Sequence, residues 1–135
     1  MHKKYKDFHI KVVYKAVKGN SGLYFRVDEV DDAVGVYGFQ AEIDPDKDAG
    51  GLYETGGRAW VRQPTSQEVE TWYKKGEWNT MEVIAKAGDI TVLVNGKTSA
   101  KLINDPGRRE GHIGLQLHGG MEMEVYFKEV LIREF

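Results

Sequence analysis

Apolar and polar residues alternate along nearly every stretch of this chain, and a period of two belongs to β-strands. In FHIKVVYKA, Phe8, Ile10, Val12, Tyr14 and Ala16 share one face, with His9, Lys11 and Lys15 on the other. The next run sends Leu23, Phe25 and Val27 inward and Tyr24, Arg26 and Asp28 outward. In VYGFQAEID, Tyr37, Phe39, Ala41 and Ile43 share a face, which aligns Gln40, Glu42 and Asp44 on the opposite one. GHIGLQLHGG repeats the pattern, with Ile113, Leu115 and Leu117 set against His112, Gly114, Gln116 and His118.

The punctuation between these runs is that of antiparallel strands. Asn95-Gly96 is a type I′ hairpin signal, Ala87-Gly88-Asp89 marks a second turn, and Gly pairs at 50–51 and 56–57 bracket a short strand and a tight turn. The closing EVYFKEVLIREF changes register between Phe127 and Val130, which predicts a bulge near Lys128 and Glu129. Helix is predicted only in TSQEVETWYKK, where Thr65 stands three residues before Glu68 as in a capping box and Val69 can meet Trp72 or Tyr73. Many short strands, Gly-rich turns and one short helix predict an all-β antiparallel β-sandwich. At 135 residues, with no linker or repeat, residues 1–135 read as a single domain.

Composition narrows the partners. A net charge of −2 with acids and bases interspersed argues against nucleic acid or an anionic membrane, so a neutral ligand is expected. Zero cysteines remove disulfides and thiol chemistry. No stretch approaches the roughly 20 apolar residues of a membrane span, and MHKKYKDFHI lacks the apolar core of a secretion signal.

The outward set differs from the Lys, Glu and Thr of ordinary solvated strands. Arg26, Gln40, Glu42, Gln116 and His118 are flat or forked donors and acceptors suited to sugar hydroxyls. Tyr24, Tyr53 and Trp60 supply flat apolar platforms for a sugar ring. A solvated polar face is the plainer reading of any single strand; its recurrence on three strands points to a site. Glu42 is the leading catalytic carboxylate. Its Cα lies about 6.6 Å from that of Asp44 at ~3.3 Å per residue, a spacing that does not choose between retaining and inverting geometry. Asp44 has a second reading, as the residue holding the turn before Pro45. Glu54 is a further carboxylate whose Gly-rich flanks leave its direction open. His118 has a pKa of about 6.5 when unperturbed, fit for a general base, and reads equally as a structural histidine beside Gly119-Gly120.

Asp44, Asp46 and Asp48 alternate as calcium-loop ligands do. Pro45 interrupts them, Gly falls at the seventh position and Thr55 at the twelfth, so a plain acidic turn is expected, with a surface calcium ion as the alternative. Zinc spacing, a phosphate-binding glycine loop and a serine nucleophile elbow are all missing from the sequence, and no cofactor is expected.

The motifs DFHIKVVYK, NSGLYFRV, YGFQAEIDPD, GGLYETGGRAW, GEWNTMEVIAKAGDITVLVNGK, GHIGLQLHGG and VYFKEVLIREF, in this order, resemble the 3-keto-disaccharide hydrolase domain family of concanavalin A-like jelly rolls. The resemblance covers nearly the whole chain. It implies a glycoside already oxidised at C3, whose ketone acidifies the C2 proton so that a base can start elimination across C1 and C2. It further implies Glu42 and His118 as acid and base, Arg26 and Gln40 at the ketone and neighbouring hydroxyls, Trp60 in ring stacking, and an exported, periplasmic or extracellular protein. A non-catalytic, lectin-like carbohydrate-binding module is the alternative. Relatives usually carry further strands before the segment similar to YKDFHI, whereas seven residues precede Phe8 here. An open sheet edge is therefore expected, covered by a homodimer or strand exchange. The loop between Trp60 and Trp72 is also shorter than in many relatives, and Glu129 stands where they often have Asn.

Overall fold

The computed structural model describes residues 3–29, 36–116 and 124–135. Ten strands and one helix are formed by these residues: β1 (Phe8–Lys18), β2 (Ser21–Glu29), β3 (Val36–Ile43), β4 (Leu52–Thr55), β5 (Ala59–Arg62), α1 (Ser66–Trp72), β6 (Asn79–Lys86), β7 (Asp89–Val94), β8 (Lys97–Leu102), β9 (His112–Leu115) and β10 (Glu124–Glu134). They make two five-stranded antiparallel sheets, in the orders β10-β1-β6-β7-β8 and β5-β4-β3-β2-β9. The fold is the antiparallel β-sandwich expected from the alternation.

The inward stripe of β1 is the centre of the core: Phe8, Ile10, Val12 and Tyr14 are fully buried, facing Met81, Val83 and Ala85 of β6 on the same side. The opposing sheet contributes Leu23, Phe25, Phe39, Ala41, Ile43 and Leu52. Phe25 and Phe39 stack at 5.4 Å, and Phe8 meets Phe25 edge-on at 6.0 Å, so aromatic contacts join the two layers. Each such fully buried side chain contributes roughly 1.5–3 kcal/mol.

The local signals have their expected forms. Thr65 caps α1, its hydroxyl accepting from Glu68 N–H while the Glu68 carboxylate accepts from Thr65 N–H, and Val69 and Trp72 are buried. Asn95 and Gly96 have φ of 52° and 82°, the left-handed pair a type I′ turn requires. The bulge in β10 leaves Lys128 without a partner, since Val13 pairs with Glu129 and Tyr14 with Phe127.

One placement is corrected. Arg26 was expected on the outer face beside Gln40, but β2 bulges between Phe25 and Asp28 and Arg26 takes φ 51°. Alternation breaks there, and the side chain turns to the end of the sandwich, fully buried. Two glycines admit the bulge. A Cβ on Gly38 would lie 2.6 Å from the Arg26 carbonyl oxygen, and one on Gly111 would lie 2.3 Å from the Arg26 carbonyl carbon.

Candidate functional site

The outer face of the second sheet is assembled by strand register. Directly opposite residues share a face, so the pairs Tyr24 with Gly114, Tyr24 with Gln40, Gln40 with Tyr53 and Tyr53 with Trp60 make one row across five strands. A second row runs beside it. Glu42 pairs with Gly22, Gln116 N–H donates to the Gly22 carbonyl at 2.8 Å, and Glu42 N–H donates to the Gly51 carbonyl at 2.9 Å. Glu42 thus stands between two glycines whose missing side chains leave room. Trp60 uses that room, because a Cβ on Gly51 would lie 2.8 Å from its ring; so does Gln40, whose side chain lies 2.6 Å from where a Gly22 Cβ would be. Tyr53 and Trp60 meet edge to face at 5.3 Å, both half-buried.

Gln40 organises the polar part. Its Nε2 donates to Glu42 Oε1 and to Gln116 Oε1, each at 2.5 Å, and its Oε1 accepts from the Thr55 hydroxyl at 3.4 Å. The Tyr24 hydroxyl is hydrogen-bonded to Gln116. A continuous hydrogen-bonded chain therefore links Tyr24, Gln116, Gln40 and Glu42. Burial, reinforced by the charges of Asp44 and Asp48, pushes the Glu42 carboxyl up to about 8, and a hydrogen bond from Asn20 opposes that rise. Burial and the Glu42 charge likewise push the Tyr24 phenol up. At neutral pH the two neighbouring rows hold a mostly protonated carboxyl and a neutral phenol.

The remaining sequence candidates lie apart from this row or beyond the described residues. Arg26 donates through Nε and Nη2 to the Lys6 carbonyl (3.0 and 2.6 Å) and through Nη1 to the carbonyls of Ala87 (2.6 Å) and Arg108 (3.2 Å). It is a structural tie between the chain start, the β6–β7 turn and the loop before β9. Asp44 is buried, with Oδ1 accepting from Asp46 N–H at 2.9 Å and Lys47 N–H at 3.2 Å, which is the turn-holding role. Asp46 is paired with Lys75 and Asp48 with Gln63, and among the described residues no group of three or more His, Cys, Asp or Glu side chains is spaced to hold a metal ion. Glu54 shares the Leu52 side of β4 and accepts from Arg58 N–H at 2.8 Å and Nε at 3.0 Å, so Arg58 holds its carboxyl below the usual range. His118 lies outside the described residues. Asn20 and Thr55 join the site without having been singled out; Thr55 follows Tyr53 by two, so the period of two contained it, whereas Asn20 sits in a turn where alternation carries no signal.

Residues 1–133 match the model of the 3-keto-alpha-glucoside-1,2-lyase-like domain. The chain belongs to that family. Among solved structures, the carbohydrate-binding module CBM66 of Bacillus subtilis is similar to this member with TM-score 0.70 at 15% identity, over 98% of this chain and 78% of that one. A candidate glycosyl hydrolase from Parabacteroides distasonis is similar with TM-score 0.68 at 21% identity, over 100% and 75%. A Bacillus subtilis protein of galectin-like fold is similar with TM-score 0.65 at 11% identity, over 99% and 75%. At these identities the likeness is one of fold. No curated protein matches the sequence closely enough to count as a relative. The family is carbohydrate-active, and among the described residues no helix is long and apolar enough to cross a membrane.

Proposed function

We propose that this domain cleaves 3-keto-glycosides by elimination, with Glu42 as the proton-transferring carboxyl. The observation that supports this reading is a buried carboxyl, pushed to about 8 and held by Gln40, on a face that also carries the half-buried rings of Tyr53 and Trp60. A group titrating near the working pH can both give and take a proton. A base removes the proton from C2, and the electron pair of that C–H bond is held as the enolate of the C3 ketone. The pair then forms the C1=C2 bond as the C1–O bond breaks, and the departing oxygen takes the Glu42 proton. The products are a 1,2-unsaturated 3-keto sugar and the free aglycone alcohol. Addition of water across C1 and C2 makes the net result a hydrolysis. His118 is the base the sequence offers. Arg26, engaged at the end of the sandwich, gives up the ketone role, and the neutral Tyr24 hydroxyl next to Glu42 takes it.

A second reading, a binding module without catalysis, draws on a specific observation: both N–H bonds of the Gln40 amide are already engaged, while Tyr53 and Trp60 remain half-exposed as a platform. The two readings part in one assay, release of a chromogenic aglycone from a 3-keto-glucoside run beside its unoxidised parent. Release is expected from the keto form alone, falling by roughly 10²–10⁴-fold in Glu42→Gln. Release from neither compound by a folded protein that still binds saccharide selects the binding module. Undiminished release by Glu42→Gln refutes the assignment of Glu42.

A further inference from the structure

We propose that the outer edge of β10 pairs with the same edge of a second copy, antiparallel, about a twofold axis between Lys128 and Glu129. β10 is an end strand of its sheet, and among the described residues no strand bonds its outer side. Eleven residues of edge is long for a strand left open, and this one carries exposed apolar side chains between its charges. Tyr126 is 50% exposed and Leu131 54%, while Val130, which points toward the core opposite Val12, is still 45% exposed. Among the described residues, nothing covers these exposed apolar side chains along the strand.

The sequence of the strand specifies what finishes it. Residues 124–133 read Glu, three apolar, Lys, then Glu, three apolar, Arg. Laid antiparallel on itself about the midpoint, Glu124 meets Arg133, Val125 meets Ile132, Tyr126 meets Leu131, Phe127 meets Val130 and Lys128 meets Glu129. Every apolar residue faces an apolar one and every charge its opposite, the arrangement cross-strand pairs favour. Shifting by one residue about Glu129 instead opposes Glu124 to Glu134 and Lys128 to Val130.

In a regular strand this register would fail, because partners whose numbers sum to an odd value lie on opposite faces, and a twofold axis normal to the sheet cannot relate them. The bulge removes that obstacle. With Lys128 left out of the ladder to β1, Val125 and Phe127 point inward opposite Ala16 and Tyr14, and Val130 and Ile132 also point inward opposite Val12 and Ile10. Tyr126 and Leu131, opposite Lys15 and Lys11, both point outward. The bulge and the centre of the palindrome coincide, so all the pairs fall on matching faces. Lys128 lies over the Trp78 ring at 5.5 Å, on the outer side where Glu129 also stands. Neither Glu129 nor Arg133 has an ion-pair partner among the described residues. Pairing joins the two five-stranded sheets into one and leaves the Glu42 face, which belongs to the other sheet, open to ligand.

Sedimentation equilibrium on the full chain tests this. A dimer of twice 15.3 kDa is expected. Arg133→Glu and Glu124→Arg, both at exposed positions, should each weaken it roughly tenfold or more, since each places like charges opposite one another twice. Mixing the two single variants should restore association, because each then supplies the charge the other lacks. A monomer at every concentration overturns the proposal, as do a dimer indifferent to both reversals and single variants that stay apart on mixing. Lys128→Glu and Glu129→Lys repeat the test at the centre of the strand should either terminal variant fail to fold by circular dichroism.

Discussion

Arg26 and Glu42 lie on neighbouring strands, both ionisable and both buried, yet their surroundings oppose each other. Around Arg26 the chain delivers three carbonyl oxygens to one guanidinium, with Asp7 at 3.4 Å, so its donors meet acceptors, although burial lowers its pKa against the opposing charge of Asp7. Around Glu42 the chain supplies the reverse: two further carboxylates, a buried site, and amide donors from Gln40 and Asn20 that do not offset them. One group is satisfied in its charged form and the other is held neutral. Burial and polarity are common to both, so neither distinguishes a structural group from a working one. The distinction lies in whether the charged form is supported, and only the unsupported group is poised to exchange a proton near neutral pH.

Breaking the satisfied side should have the larger effect. Arg26→Met leaves the carbonyls of Lys6, Ala87 and Arg108 without their donor and is expected to lower stability by about 3–5 kcal/mol in chemical denaturation. Arg26→Lys should recover little, since an ammonium cannot reproduce the planar fork. A fully stable Arg26→Met would show that the end of the sandwich is held by something else.

The unsatisfied side should show its strain through pH. Glu42 titrates near 8 when folded and near 4.5 when unfolded, so between those values the folded state keeps a proton the unfolded chain has lost. Stability from this group is fully present below pH 4.5, declines as pH rises and is gone above about 8. Glu42→Gln cannot ionise. It should flatten that dependence and exceed the wild type in stability at pH 9, as read from melts across the range; parallel profiles would mean that the carboxyl is not strained.

Smaller changes sharpen the outline of the site. Gly22→Ala puts a methyl 2.6 Å from the Gln40 side chain and should displace it, weakening both ligand binding and the hold on Glu42 by a few-fold. Trp60→Ala should reduce saccharide affinity by roughly tenfold through lost stacking while leaving the Glu42 titration unmoved; an unchanged affinity by calorimetry would move the ligand off this row.

Much of this was legible in the sequence because period two is a rule about faces. It placed the core of β1, the row of Gln40 and Glu42, and the bulge in β10, and the capping box at Thr65 placed the helix. It failed at Arg26 because a bulge is a change of phase, and the signs of that change, Gly38 and Gly111, lie on other segments that approach β2 only in the fold. It left Asp44 between two readings because a side chain at the end of a strand either continues the row or turns back to its own backbone, and the amides of Asp46 and Lys47 decide that. The elevated carboxyl was hidden for a related reason: it depends on burial in the folded sheet and on the charge of Asp48, which the loop after β3 brings back toward Glu42.

The measurement that bears most directly on this contrast is a carbon NMR titration of the Glu42 side-chain carboxyl from pH 4 to 10, assigned by its loss in Glu42→Gln. A midpoint near 8 is expected, matched by the midpoint in the pH dependence of stability. A midpoint near the ordinary 4.5 would contradict the account, making Glu42 an ordinary surface carboxylate and removing the proton donor on which the proposed elimination rests.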